Sequence, residues 1–153
     1  MKLATLCYVK DGSRYLLLHR NKKENDIHAG KYNGLGGKFE PGETPEACAR
    51  REIFEESGLV VENLDLRGFI TFPNFARGED WYVFVFVITK FSGNLIDSPE
   101  GTLEWVEEAD IKRLNFWEGD YIFLPWLSKP ERFSACFNYA AGKLTSHHVC
   151  FYP

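Results

Sequence analysis

The chain has no apolar run long enough to cross a bilayer, no Cys-x-x-Cys pair, no histidines at metal-ligand spacing and no surplus of positive charge. Each absence removes a class of function. The longest apolar stretch, around Val83–Ile88, is far shorter than the roughly 20 residues that a membrane helix needs. A net charge of −4 and a pI near 5.6 exclude a general grip on nucleic-acid polymers, which takes a basic stripe to displace condensed counterions. Small anionic substrates stay within reach, because a bound metal can supply local positive charge. His19, His28, His147 and His148 are assigned no catalytic role; the adjacent pair in a strand would point to opposite faces. Cys7, Cys48, Cys136 and Cys150 lie in apolar stretches and read as buried thiols. A disulfide among them is the open alternative, but without a signal peptide a reducing cytoplasm is the expected compartment. No repeat, low-complexity segment or linker interrupts the 153 residues.

What is present is enough for one good core, with 44% hydrophobic and 16% aromatic content, so residues 1–153 are expected to form one domain. The pattern is that of an α/β sandwich. Leu3–Val9 and Tyr15–Arg20 read as strands joined at Asp11-Gly12, a strong hairpin signal. Val60–Phe72 and Trp81–Phe91 read as two more, with Pro73–Asp80 as the loop between them. Leu103–Val106 is a short strand and Glu107–Leu114 a short helix, with another helix over Gly119–Leu127. Phe133–Ala141 and Leu144–Tyr152 pair around Gly142.

Chemistry concentrates in Gly37–Leu59, GKFEPGETPEACARREIFEESGL. Thr44 suits a helix N-cap, Pro45 the first turn, where its missing N–H costs nothing, and Gly58 the left-handed exit. At 100° per residue, Glu52, Glu55 and Glu56 fall within one arc, and Ala47, Ala49, Ile53 and Phe54 are expected to pack on a core. Crowded carboxylates repel unless a cation offsets them, and oxygen-only ligands favour Mg²⁺, with Mn²⁺ as a substitute, over zinc. The plain alternative is a solvated acidic face paired with Arg50 and Arg51.

The segment resembles the Nudix box, Gly-x5-Glu-x7-Arg-Glu-U-x-Glu-Glu-x-Gly-U with U a bulky aliphatic. Gly37, Glu43, Arg51, Glu52, Ile53, Glu55, Glu56, Gly58 and Leu59 fill every defined position. At roughly 6% per fixed position, such a match arises by chance in fewer than about one in 10⁷ chains of this length. The resemblance implies a Nudix-type α/β/α sandwich with a mixed β-sheet. It also implies a Mg²⁺-dependent hydrolase of nucleoside diphosphates linked to another moiety. Matched position by position, Glu52, Glu55 and Glu56 are the expected catalytic and metal-binding carboxylates, with a backbone carbonyl of Gly36 or Gly37 as a further metal ligand. Glu43 and Arg51 are expected to form a structural ion pair, with Gly58 structural as well. Lys38 is placed to neutralise phosphate, or else is a solvated surface lysine. Glu100, in Pro99-Glu100-Gly101, lies where this family often adds one more carboxylate to the metal cluster or attacking water; a plain turn is the alternative.

KYNGLGGKFEPGE and LEWVEEADIKRLNFWEGDYIFLPWL are similar to segments of MutT-type diphosphatases that clear oxidised purine nucleotides, in particular the mammalian and streptococcal 8-oxo-dGTPase branches. The resemblance implies base recognition by Asn33 and Asp120, with Trp117 and Phe72 as stacking partners. The mammalian branch carries Trp-Pro-Asp-Asp where this chain has Trp117-Glu118-Gly119-Asp120, so the first aspartate is missing. Oxidation at C8 turns guanine N7 from an acceptor into a donor, which an amide or carboxylate oxygen can read. An Asn in a loop, an Asp near a helix start and aromatics in the core are the structural alternatives, and for Phe72 core packing leads.

The expected reaction is attack of a metal-activated water on a bridging diphosphate, with a glutamate accepting the proton. An 8-oxo-dGTP substrate would yield 8-oxo-dGMP and pyrophosphate. A broader pyrophosphatase acting on dNTPs, ADP-ribose or dinucleoside polyphosphates is the rival enzyme, since the box sees only the diphosphate. A nucleotide-sensing module is the rival outside catalysis, against which stands an intact set of box carboxylates. The expected partner is a small nucleotide, with neither a nucleic-acid polymer nor a membrane. Oligomeric state is not legible, a monomer being the simpler expectation.

Overall fold

The computed structural model describes residues 1–23 and 25–153. Its centre is β1 (Lys2–Asp11), which pairs antiparallel with β2 (Arg14–His19) at one end and parallel with β6 (Glu79–Ile88) along most of its length. β6 pairs antiparallel with β5 (Asp65–Ala76), β5 parallel with β9 (Arg132–Ala140), and β9 antiparallel with the edge strand β10 (Lys143–Tyr152). The sheet is therefore mixed. β1 and β2 diverge beyond Val9↔Leu16, and the segment Tyr32–Lys38 enters the gap. Its short β3 (Tyr32–Asn33) pairs with Leu18 and His19, while Leu35 and Lys38 bridge to Cys7 and Ala4. The outer edge of β2 takes β8 (Thr102–Glu107).

Period-two alternation puts apolar residues on both faces, as a covered sheet requires. Cys7, Val9, Leu16, Leu18, Phe86 and Ile88 join Ala49 and Ile53 of α1 (Pro45–Ser57) in one core. Tyr8, Tyr15, Leu17, Val85 and Val87 join a second core on the opposite face. That core is closed by α2 (Glu118–Phe123), by 3₁₀ segments at Glu108–Arg113 and Leu124–Ser128, and by Phe133 and Phe137. The result is the α/β/α layering that the resemblance implied.

Several expectations need correcting. Val60–Phe72 is not one strand, nor is Trp81–Phe91: β4 (Val60–Val61) and β7 (Phe91–Ser92) leave the main sheet and pair with each other. The Glu62 N–H donates to the Lys90 carbonyl and the Lys90 N–H to Asn63 Oδ1, bending both chains onto the end of α1. Pro73–Asp80 is not a loop. β5 runs to Ala76 through a bulge between Phe72 and Ala76, where proline's missing donor is not needed, and only Arg77-Gly78 turns. The helix expected over Gly119–Leu127 is split, because Pro125 falls in a 3₁₀ continuation, and the one expected over Glu107–Leu114 is 3₁₀ throughout. Ala47 and Phe54 face solvent, Phe54 at 56% exposure, since the helix buries Cys48, Ala49, Ile53, Glu56 and Ser57 instead. Cys7 and Cys48 are buried thiols, but Cys136 on β9 is only partly buried and Cys150 on the edge strand β10 is exposed; all four are free. Among the described residues no helix is long and apolar enough to cross a membrane.

Candidate active site

The helix α1 is fixed at both ends by its own sequence. Thr44 Oγ1 accepts the Ala47 N–H at 3.1 Å, Pro45 opens the first turn, and Gly58 exits at φ 80° with its N–H on the Phe54 carbonyl. Arg51 then ties the helix to the preceding loop. Its Nε and Nη2 hold Glu43 bidentately at 2.7 and 2.9 Å, and Nη2 also donates to the Lys38 carbonyl at 3.0 Å. This pairing draws the Glu43 carboxyl down to about 2. Arg51 Nη1 reaches Glu52 at 2.9 Å and Glu55 at 3.2 Å.

The three box glutamates occupy different environments. Glu56 sits in the middle of the helix's buried face, 4% exposed, accepting the Gly36 N–H at 2.7 Å. Burial pushes its carboxyl up to about 8, helped by the charges of Glu52 and Glu100. Glu52 is half-buried, and burial raises it as well. Glu55 stands largely in solvent beside Arg51. Gly37 approaches Glu52 so closely that a Cβ there would lie 2.7 Å from the carboxyl carbon, and its carbonyl accepts the Thr5 N–H at 2.9 Å. Glu100 is held over the same region by Lys23 at 2.7 Å and Arg20 at 3.7 Å, and Arg20 also grips Asp26 at 2.9 Å.

One open cavity of about 640 Å³ joins this acidic end to an aromatic one. Glu52, Glu56, Glu100, Gly37 and Lys38 line the first. Asn33, Phe72, Trp117 and Asp120 line the second, together with His28, Phe75 and Tyr139. Glu55 is not on the wall, and Glu43, Arg51 and Gly58 lie behind it. Asn33 ends β3 opposite Leu18. Phe72 packs 5.4 Å from Phe75 and 6.1 Å from Phe137, so it serves wall and core together. The Trp117 ring stands edge-on to His28, Phe75 and Tyr139, with Lys31 Nζ 4.8 Å from its centre. Asp120 is buried, and desolvation pushes its carboxyl up to about 8.

Sequence reasoning missed His28, Phe75 and Tyr139. His28 Nδ1 accepts the Trp117 indole N–H at 2.7 Å, and burial lowers the imidazole to about 4, so the ring is neutral and acts as an acceptor. Nothing in the local pattern pointed to a contact spanning 89 residues. Phe75 falls in the segment that reads as a loop, Pro73–Asp80, and Tyr139 reads as an ordinary strand aromatic of Phe133–Ala141.

The acidic end suits a hard divalent cation. Its donors are all oxygens, and Glu56 is a buried carboxyl that, among the described residues, accepts one hydrogen bond and makes no ion pair, Arg20 acting on it only from a distance. Among the described residues no three carboxylate, imidazole or thiol groups converge as a cage, and Arg51 pairs with both Glu52 and Glu55.

Comparisons with known proteins agree with this geometry. The NUDIX domain family model matches residues 1–127. An oxidized purine nucleoside triphosphate hydrolase of Danio rerio is 34% identical over 147 residues, covering 96% of this chain and 92% of that protein. The Mus musculus protein of the same description is 33% identical, covering 90% and 86%. A MutT protein from Bacillus halodurans superposes with a TM-score of 0.85 at 30% identity over 97% of each chain. A MutT NUDIX hydrolase from Burkholderia pseudomallei superposes at 0.71 and 25% identity, covering 83% of this chain and 98% of that one. With the box complete, Glu52 and Glu56 of it facing the cavity and relatives matched over nearly their whole length, the chain belongs to the Nudix hydrolase family.

Proposed function

We propose that this protein hydrolyses oxidised purine nucleoside triphosphates, converting 8-oxo-dGTP into 8-oxo-dGMP and pyrophosphate, with Mg²⁺ or Mn²⁺ as cofactor. One observation carries the reading: one open cavity has carboxylates and Lys38 at one end and an aromatic, polar recess at the other. A triphosphate lying along it would put its phosphates over Glu52, Glu56 and Glu100 and its base among Asn33, Phe72, Trp117 and Asp120. The function described for the Danio rerio and Mus musculus relatives supports the same substrate class.

The acidic end would hold the cation through Glu52, Glu55 and Glu56, with Glu100 and the Gly37 carbonyl completing the set. The cation would neutralise the diphosphate and acidify the attacking water. Lys38, its ammonium 5.6 Å from the centre of the Trp81 ring on the cavity wall, offers a positive charge to the phosphates, and a box glutamate accepts the water's proton. At the other end Trp117, held by His28, and Phe72 give apolar faces to the ring, and stacking on such faces is worth roughly 1–3 kcal/mol per base. Asn33 can both donate and accept through one amide, so it can meet an N7–H that undamaged guanine lacks.

The test is a kinetic panel of 8-oxo-dGTP, dGTP and ADP-ribose with product analysis at saturating Mg²⁺. The expected outcome is a clear preference in kcat/KM for 8-oxo-dGTP, with pyrophosphate rather than orthophosphate released. Equal turnover of all three would make a broad nucleoside-diphosphate hydrolase the better description.

A further inference from the structure

Gly119 and Tyr139 are fitted to each other at the base end of the cavity. Gly119 is the second residue of α2, and its N–H donates to the Tyr139 hydroxyl oxygen at 2.7 Å. A Cβ at position 119 would lie 2.7 Å from that same oxygen and 2.8 Å from the Phe137 ring, so a side chain there and the hydroxyl exclude one another. Trp117, at the N-cap, gives α2 no side-chain cap, and the hydroxyl arriving from β9 takes over one of the helix's unpaired N–H groups.

A phenol accepts in its ring plane and also donates one proton. Gly119 occupies the accepting side. Among the described residues no acceptor takes the proton, although Tyr139 lines the cavity. The ring cannot easily swing away, being packed 5.3 Å from Phe75 and 5.4 Å from Trp117, centre to centre. Burial raises the phenol to about 12, which keeps its proton in place at neutral pH. A positioned, uncommitted donor therefore stands beside Asp120, the residue next to Gly119 and a group able to accept.

We propose that the Tyr139 O–H donates to the C6 oxygen of a 6-oxopurine while a carboxyl oxygen of Asp120 accepts the neighbouring N1–H of the same base edge, so that Tyr139 selects 6-oxopurine over 6-aminopurine nucleotides. A 6-amino group would present a donor to a donor, and with the accepting side already filled the phenol has no good alternative orientation. This inference rests on the proposed use of the cavity as a purine-nucleotide site.

Tyr139→Phe keeps the ring and removes the hydroxyl. kcat/KM should be measured for 8-oxo-dGTP and 8-oxo-dATP, and for dGTP, dITP and dATP, in both proteins alongside their Tm. The expected result is a loss of about tenfold for the substrates with a C6 oxygen, dITP included, and no loss for the 6-amino substrates, which is the scale of one neutral hydrogen bond. If the hydroxyl only caps α2, Tm falls and the ratio of 6-oxo to 6-amino substrates stays at its wild-type value, which overturns the proposal. A wild-type enzyme with no preference for 6-oxopurines also overturns it, without recourse to any variant. Failure of the wild type to favour 8-oxo-dGTP over dGTP is a different outcome. It removes oxidised-base selection from the proposed function and leaves the comparison of dGTP, dITP and dATP as a test of Tyr139.

Discussion

Glu56 and Asp120 are both acids placed where an ionised carboxylate is poorly solvated, and they should respond differently to neutralisation. Glu56→Gln keeps the shape and still accepts the Gly36 N–H, while removing the charge a cation would use. We expect folding to be retained and kcat to fall on the order of 10²-fold or more, measured at saturating Mg²⁺. Near-normal turnover would remove Glu56 from the machinery. For Asp120 the sign of the pH dependence follows from its carboxyl being raised from 3.8 to about 8. The folded state then binds more protons than the unfolded state between those values, so its contribution to stability is full below 3.8 and is lost as pH rises through about 8. Asp120→Asn should therefore raise Tm at pH 8 by a few degrees, about 2–4 °C, and change it little near pH 4. Thermal melts of the two proteins at both pH values check this, and an equal shift at each would contradict it.

At the scale of the element, the loop–helix unit separates stability from activity. Thr44→Ala removes the cap of α1 without touching a cavity residue, and should cost about 1 kcal/mol in urea unfolding with kcat little changed. Gly37→Ala should do the reverse. Its Cβ would fall 2.7 Å from the Glu52 carboxyl, a flexible side-chain end that can yield, so the carboxylate moves rather than the backbone. We expect a loss of roughly 1 kcal/mol or less in stability. The loss in kcat should be about tenfold or more, because small displacements of reacting groups are costly. Comparable activity losses in the two variants would mean that Glu52 does not depend on the space Gly37 leaves.

For the molecule as a whole, the site depends on a sheet buried on both faces. Phe86 lies on the face beneath α1, 1% exposed, and Phe86→Ala should cost about 3–5 kcal/mol in urea unfolding; a cost below 1 kcal/mol would mean that α1 does not rely on this core. Much of this architecture was legible in the chain. Alternation in β1, β2 and β6 marks strands because side chains point to opposite faces with a period of two. The box spacing sets the helix, its caps and the Arg51–Glu43 pair, because those contacts span only a few residues. Local pattern did not show where the strands break, since the bends at Asn63 and Lys90 come from one strand bonding to another. Nor could it tell the buried arc of α1 from the exposed one, because Phe54 and Glu56 are assigned by what the sheet offers and not by their own polarity. Residue types at short spacings were enough to establish the family, the helix that carries the carboxylates and the cation chemistry they suit. Which carboxyls are desolvated, and that His28, Phe75 and Tyr139 complete the recess, could be read from the folded chain alone. Burial and contacts between residues far apart in the chain exist only once the sheet has closed around them.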